Sequence, residues 1–170
     1  MRGAGKTTVG PLLAQELLAL FVDLDDVVVR ALGAVDVQSV FTTQGEEAWR
    51  SGEAQALRTL LAEQPSAVPL RIMAVGAGAP SDARCHQLLQ TARTNGWRVI
   101  ELRVPVEALI ARLANNLGGR PTLTSLPHDE EMRSLAARRA GSYTSLADAV
   151  VDGSATPQCV ARAIVSVVSG

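Results

Sequence analysis

An α/β domain built on a parallel sheet is what this sequence predicts, and three observations carry the prediction. Short aliphatic runs alternate with longer stretches of helical periodicity along almost the whole chain, the order that a parallel sheet with helices on both faces requires. The chain opens on Met1-Arg2-Gly3-Ala4-Gly5-Lys6-Thr7-Thr8, the second half of the phosphate-binding pattern G-x-x-x-x-G-K-[ST], placed directly before a helical run. A second glycine cluster, Gly76-Ala77-Gly78, directly follows an aliphatic strand. That lets a ligand approach the backbone at the carboxyl edge of a parallel sheet, although a plain tight turn fits this segment equally well.

In the opening segment, Gly3 and Gly5 let backbone N–H groups turn inward around an anion without Cβ clashes. Lys6 would reach the outer phosphates and the Thr7 hydroxyl would hold Mg²⁺. The helix from Lys6 to Leu20, with Val9, Leu12, Leu13, Leu17 and Leu18 at helical spacing, adds the positive end of its dipole. Pro11 interrupts it, at about 3 kcal/mol in a regular helix. Phe21 to Asp25 is a short strand ending in two carboxylates. On a continuing strand Asp23 and Asp25 share one face, where they repel unless a cation or ligand lies between them. Asp26 is the expected N-cap of a helix to Leu32.

A short helix spans Val35 to Gln44 and a strong one Glu46 to Glu63. Arg50 and Glu53, three apart on the latter, fit a surface ion pair as well as a ligand arginine held by a carboxylate. Val68 to Val75 is a buried strand, broken from the helix by Gln64-Pro65-Ser66. Ser81 is the expected cap of a helix over Asp82 to Thr94, which Asn95-Gly96 stops. Trp97 to Val104 is the next strand, and Pro105 opens a helix to about Leu113. Asn115 to Thr124 is a loop with Arg120 in its middle, suited either to closing over phosphate charge or to simple solvation. Asp129 to about Tyr143 is helical, with Arg138 and Arg139 near an end whose dipole favours cations without any ligand. Ala149 to Val151 is a last strand, and Thr156 to Val168 a closing helix with Pro157 in its first turn.

The 170 residues suit one domain, 1–170, long enough for a sizeable core. A net charge of −1 without a basic run argues against a nucleic-acid partner. The two cysteines, Cys85 and Cys159, lie far apart and outside metal-ligand spacing, as in a reduced cytoplasmic protein whose thiols are buried. No signal peptide is evident and no apolar run reaches spanning length, so no membrane partner is expected.

Taken together, the ordered motifs resemble the shikimate kinase family of P-loop, nucleoside-monophosphate-kinase-like proteins. The matching pieces are Arg2 to Gly10, Phe21 to Asp25, Gly45-Glu46 with Arg50 and Glu53, Gly76 to Gly78, Gly119-Arg120-Pro121, and Arg139 four residues before Tyr143. The resemblance implies a three-layer α/β/α P-loop kinase with sheet order 2-3-1-4-5, ATP and Mg²⁺ as cofactors, and phosphorylation of the shikimate 3-hydroxyl. It implies that Gly3, Ala4, Gly5, Lys6, Thr7 and Thr8 hold ATP, with Lys6 on the transferring phosphoryl. Thr7 and Asp23 serve Mg²⁺ and its water shell. Asp25 binds the acceptor hydroxyls as base or orienter. Arg50 and Arg139 grip the substrate carboxylate, and Gly76, Ala77 and Gly78 offer the turn. Arg120 closes from a lid at about 115–126. Arg112 and Pro157 contact the adenine side, a looser match, and Glu53 orients an arginine. The family's proteins are expected here as monomers.

Four departures stand out. The family's central first strand and first P-loop glycine have no counterpart before Met1, which suggests an internal methionine taken as the start and neighbouring strands left with exposed apolar faces. Pro11 lies in a helix, Ala77 replaces the middle glycine of three and would be strained at positive φ, and Thr122 follows the lid Arg-Pro. Two other functions fit less of the pattern. One is a non-catalytic, shikimate-kinase-like binding or regulatory module. The other is a related small-molecule kinase, such as a gluconate or nucleotide kinase, which the pairing of Asp25 with two arginines disfavours.

Overall fold

The expected alternation is present in residues 1–63, 70–114 and 127–169, which the computed structural model describes. Helix α1 (Lys6–Glu16) leads to β1 (Leu20–Asp23), α2 (Leu24–Ala31), α3 (Val37–Thr43) and α4 (Gly45–Ala62). Strand β2 (Arg71–Ala74) runs into a 3₁₀ turn (Ala79–Ser81) and α5 (Ala83–Thr94), followed by β3 (Ile100–Arg103) and α6 (Val106–Ala114). Helix α7 (His128–Leu146), β4 (Ala149–Asp152) and α8 (Pro157–Ser169) complete the order.

The strands pair in parallel, two by two. β1 lies beside β2 in register from Leu20↔Arg71 to Asp23↔Ala74, and β3 beside β4 from Ile100↔Ala149 to Arg103↔Asp152. Among the described residues no ladder joins the two pairs. They match the neighbours 2-3 and 4-5 of the expected order 2-3-1-4-5.

Side-chain alternation shows the three layers. On β2, Met73 packs with the cluster of Leu24, Val28, Trp49 and Leu57, contributed by α2 and α4 on one face. Ile72, the next residue, packs with Val9, Leu13, Val160 and Ile164 from α1 and α8 on the other. A period of two therefore sends successive residues of one strand into two separate cores. Ile72, Ile100 and Leu102 pack against the α1/α8 cluster but are only partly buried, so the apolar strand faces expected to be exposed are only partly covered at these positions. A third cluster, Ala4, Val104, Leu109, Ile110 and Met132, seats the opening loop on α6 and α7.

Helix boundaries differ where local capping outcompetes periodicity. Helix α1 ends at Glu16 with Pro11 inside it. Leu18, expected on its buried face, instead takes a left-handed φ of 51° in the turn and is 86% exposed. Asp82, not Ser81, caps α5, accepting from the N–H groups of Arg84 and Cys85. Cys85 is buried as expected, whereas Cys159 is exposed on α8. No helix among the described residues is long and apolar enough to cross a membrane.

Gly10 fixes how closely α1 approaches β1. A Cβ there would overlap three atoms of the Phe21 ring. Alanine gains about 1 kcal/mol of helix propensity, but overpacking costs about 1–3 kcal/mol, occasionally more. With three ring atoms in the way the overlap wins. Gly10→Ala is expected to lower the thermal midpoint by several degrees; an unchanged midpoint would mean that Phe21 moves aside freely.

Candidate active site

The opening loop is shaped by its glycines. Gly3 and Gly5 take φ values of 73° and 95°, where any side chain is strained. Gly5 is the N-cap of α1, and its carbonyl accepts from the N–H groups of Thr8 and Val9. Lys6 is the first helical residue, and its Nζ donates to the Met1 carbonyl at 3.2 Å. The loop therefore presents an ammonium at the positive end of a helix dipole, the arrangement that binds phosphate.

Both strand pairs support this loop. On one side the Thr7 hydroxyl donates to Asp23 Oδ2 at 2.9 Å, which ties α1 to the end of β1. On the other, a Cβ at Gly153, just past β4, would crowd Val104 and the Ala4 carbonyl, so only a glycine lets this turn sit against the loop. Arg112 donates to the carbonyls of Gly3 and Gly153 at 3.2 and 3.0 Å. It thus braces the loop from behind, while Pro157 opens α8 four residues after Gly153. Thr8 is exposed on the first turn of α1.

The carboxylates fall differently from the expectation. β1 ends at Asp23, and Asp23 rather than Asp26 is the N-cap of α2, accepting from the Asp25 N–H at 3.0 Å. Asp25 is therefore in the first helical turn, not on a continuing strand, because the side-chain cap begins the helix three residues earlier. The two carboxylates separate in function: Asp23 faces Thr7 and Asp25 turns toward Gly76. The Thr7 and Asp23 oxygens are hard donors of the kind Mg²⁺ takes with phosphate oxygens and water as its other ligands.

A cleft opens beside this pair. Its lining includes Asp25, Arg50, Gly76, Ala77, Gly78 and Arg139, the six residues expected to bind substrate, drawn from α2, α4, the turn after β2, and α7. Arg50 Nη1 donates to Glu53 Oε2 at 2.6 Å, and its Nε and Nη2 donate to Glu46 Oε1 at 3.2 and 2.9 Å. The Glu53 side chain is 1% exposed, so this is not a surface ion pair. Burial works against the charge on Arg50, but the Glu53 and Glu46 carboxylates outweigh it and raise its pKa. Burial pushes the Glu53 carboxyl up, with Asp25 adding to the rise and Arg50 opposing it.

Space, not φ, explains the turn. A Cβ at Gly78 would overlap the Arg50 guanidinium, and one at Gly76 would overlap the Glu53 and Asp25 carboxylates. Ala77 does not adopt a positive φ, so the strain expected there is absent. Helix α7 runs to Leu146, which puts Arg139 well inside it rather than in its last turn. Arg139 is 7% exposed. Burial lowers its pKa, and the nearby Arg50 lowers it further. Among the described residues it forms no ion pair. A buried cation facing another is a favourable seat for an anionic group, which planar guanidinium forks bind in pairs.

Sequence reasoning missed the rest of the lining. Val37, Phe41 and Trp49 form an apolar wall, with the Phe41 and Trp49 rings 5.8 Å apart. Trp49 next to Arg50 looked like core, and it is 3% exposed, so it serves both. Arg2 also lines the cleft; its position before the loop carried no signal. Arg120 and the lid expected at about 115–126 lie outside the described residues, as do Gln64-Pro65-Ser66 and the start of the Val68 to Val75 strand.

The shikimate kinase family model matches residues 2–169. The chain belongs to the shikimate kinase family. Shikimate kinase 2 of Yersinia pseudotuberculosis serotype O:3 (strain YPIII) is 35% identical over 171 residues, covering 99% of this chain and 92% of the relative. Shikimate kinase 2 of Syntrophotalea carbinolica is 37% identical over 161 residues, 94% of this chain and 87% of the relative. The solved shikimate kinase of Acinetobacter baumannii in complex with shikimate superimposes with a TM-score of 0.83 at 27% identity, over 98% of this chain and 88% of that one. The α/β P-loop kinase fold expected from the sequence is thus the fold of this shikimate kinase family member, and the chain is by family a phosphotransferase.

Proposed function

We propose that this protein transfers the terminal phosphoryl of ATP to the 3-hydroxyl of shikimate. The observation that carries the proposal is the convergence of Asp25, Arg50 and Arg139 in one cleft beside the Thr7–Asp23 contact of the phosphate loop. Arg50, braced by Glu53 and Glu46, and Arg139 take the acceptor carboxylate in bidentate fashion. That fixes the ring so that a hydroxyl meets Asp25, which orients it and accepts its proton. Lys6 and the loop N–H groups balance charge on the moving phosphoryl, where positioned charge matters more than covalent help. Thr7 and Asp23 would hold Mg²⁺ and its water shell, and the ion would supply charge neutralisation at the phosphates. Arg112 and Pro157 lie on the nucleotide side, Arg120 closes over the phosphates, and the protein acts as a cytoplasmic monomer.

A coupled ADP-release assay with ATP, Mg²⁺ and shikimate tests this. Arg139→Ala is expected to raise KM for shikimate about 100-fold, as for loss of one side of a charged pair, with KM for ATP unchanged. Faster turnover of gluconate than of shikimate, or shikimate binding without turnover by well-folded protein, would overturn the proposal.

A further inference from the structure

Tyr143 has no part in the chemistry above, yet it joins two walls of the cleft. It lies one helical turn beyond Arg139 on α7, so the two side chains share a face. Its hydroxyl donates to the Ala77 carbonyl at 2.6 Å. The Arg139 guanidinium lies close enough to interact electrostatically with that phenol. A phenol has one proton to give, and the short bond to the Ala77 carbonyl takes it, with Met1 Sδ a longer neighbour at 3.7 Å.

The turn after β2 shows what that bond supplies. The Gly76 carbonyl accepts from the Ala79 N–H at 3.1 Å, the Gly78 carbonyl from Ser81 at 3.0 Å, and the Ala79 carbonyl from Asp82 at 3.1 Å. The remaining carbonyl of the four, that of buried Ala77, accepts from Tyr143. A peptide unit is planar and trans. Holding the Ala77 carbonyl on the phenol therefore fixes the following N–H, that of Gly78, pointing away from Tyr143. Gly78 in turn packs against the Arg50 guanidinium. One hydroxyl, one turn from Arg139 on the same helix, thus ties α7 to the turn that packs on Arg50.

We propose that Tyr143 is a positioning residue for the acceptor: its hydroxyl sets the spacing between Arg139 and the Gly76–Gly78 turn, and with it the carboxylate-binding end of the cleft. The acceptor half of this inference rests on the function proposed above; the tie between α7 and the turn does not. Tyr143→Phe removes the oxygen and keeps the ring, so the fold should be retained. In the ligand-free protein, amide hydrogen exchange across residues 76–81 is expected to rise roughly 10-fold, the scale of one lost hydrogen bond with a partner left buried, with α1 and α8 unchanged. In the kinase assay KM for shikimate should rise roughly 10-fold, with KM for ATP unchanged.

Unchanged exchange in the turn overturns the tie, whatever the enzyme phosphorylates. A uniform rise in exchange with a lower thermal midpoint would make Tyr143 a stability residue only, and would also overturn it. Faster turn exchange with shikimate KM equal in both proteins would overturn the positioning role. Should wild-type protein fail to turn over shikimate, the proposed function falls, while the exchange comparison still decides whether Tyr143 holds the turn.

Discussion

Lys6→Met is expected to lower kcat about 10²–10³-fold, the effect of removing one preorganised charge from a developing anion. Lys6 is the first residue of α1, with its ammonium held by the Met1 carbonyl across the mouth of the loop. It contributes to none of the three buried clusters, so the thermal midpoint should barely move. The arginines proposed to meet the acceptor are on α4 and α7, so KM for shikimate should also stay near the wild-type value. A kcat within about threefold of wild type would remove the phosphate loop from the mechanism.

Asp25→Asn is expected to cost about 10²–10⁴ in kcat, the span of a lost general base. Asp25 is 8% exposed and shares the space beside Gly76 with the buried Glu53 carboxylate. Neutralising it relieves repulsion that raises the Glu53 pKa. A carboxyl whose folded pKa is raised contributes stability below its unfolded pKa and loses it as pH rises through the folded value. Wild-type protein therefore loses stability above the ordinary glutamate range, and the asparagine variant loses less. The midpoint difference, variant minus wild type, should shift in the variant's favour from acid toward neutral pH. A midpoint difference that does not change between acid and neutral pH would mean that Asp25 does not act on Glu53, and a kcat within about threefold of wild type would remove Asp25 from proton transfer.

These predictions depend on a site that the sequence located but did not fully build. Asp25, Arg50, Gly76, Gly78 and Arg139 were legible from their ordered spacing, because each belongs to a short local motif that follows the others in a fixed order along the chain. The role of the glycines was less legible. The turn after β2 suggested backbone freedom, yet neither Gly76 nor Gly78 takes a positive φ; they are small because Glu53, Asp25 and Arg50 occupy the space where a Cβ would go. Arg50 and Glu53 could equally have been a surface pair, since i,i+3 spacing is the same in either case. Only the packing of α4 shows Glu53 to be 1% exposed, which turns a weak contact into a buried brace.

The sequence by itself determined the order of helices and strands, the parallel class of the fold, the phosphate loop and the family. It did so because hydrophobic period, glycine placement and Gly-Lys-Thr-Thr are local properties of the chain. Tertiary structure alone decided which residues cap α2 and α5, that Asp23 turns to Thr7 while Asp25 turns to Gly76, and that Val37, Phe41 and Trp49 wall the cleft. It also decided that Tyr143 reaches the Ala77 carbonyl 66 residues away. Those outcomes depend on which groups meet across distant elements and compete for the same hydrogen bonds, and no window of sequence contains both partners.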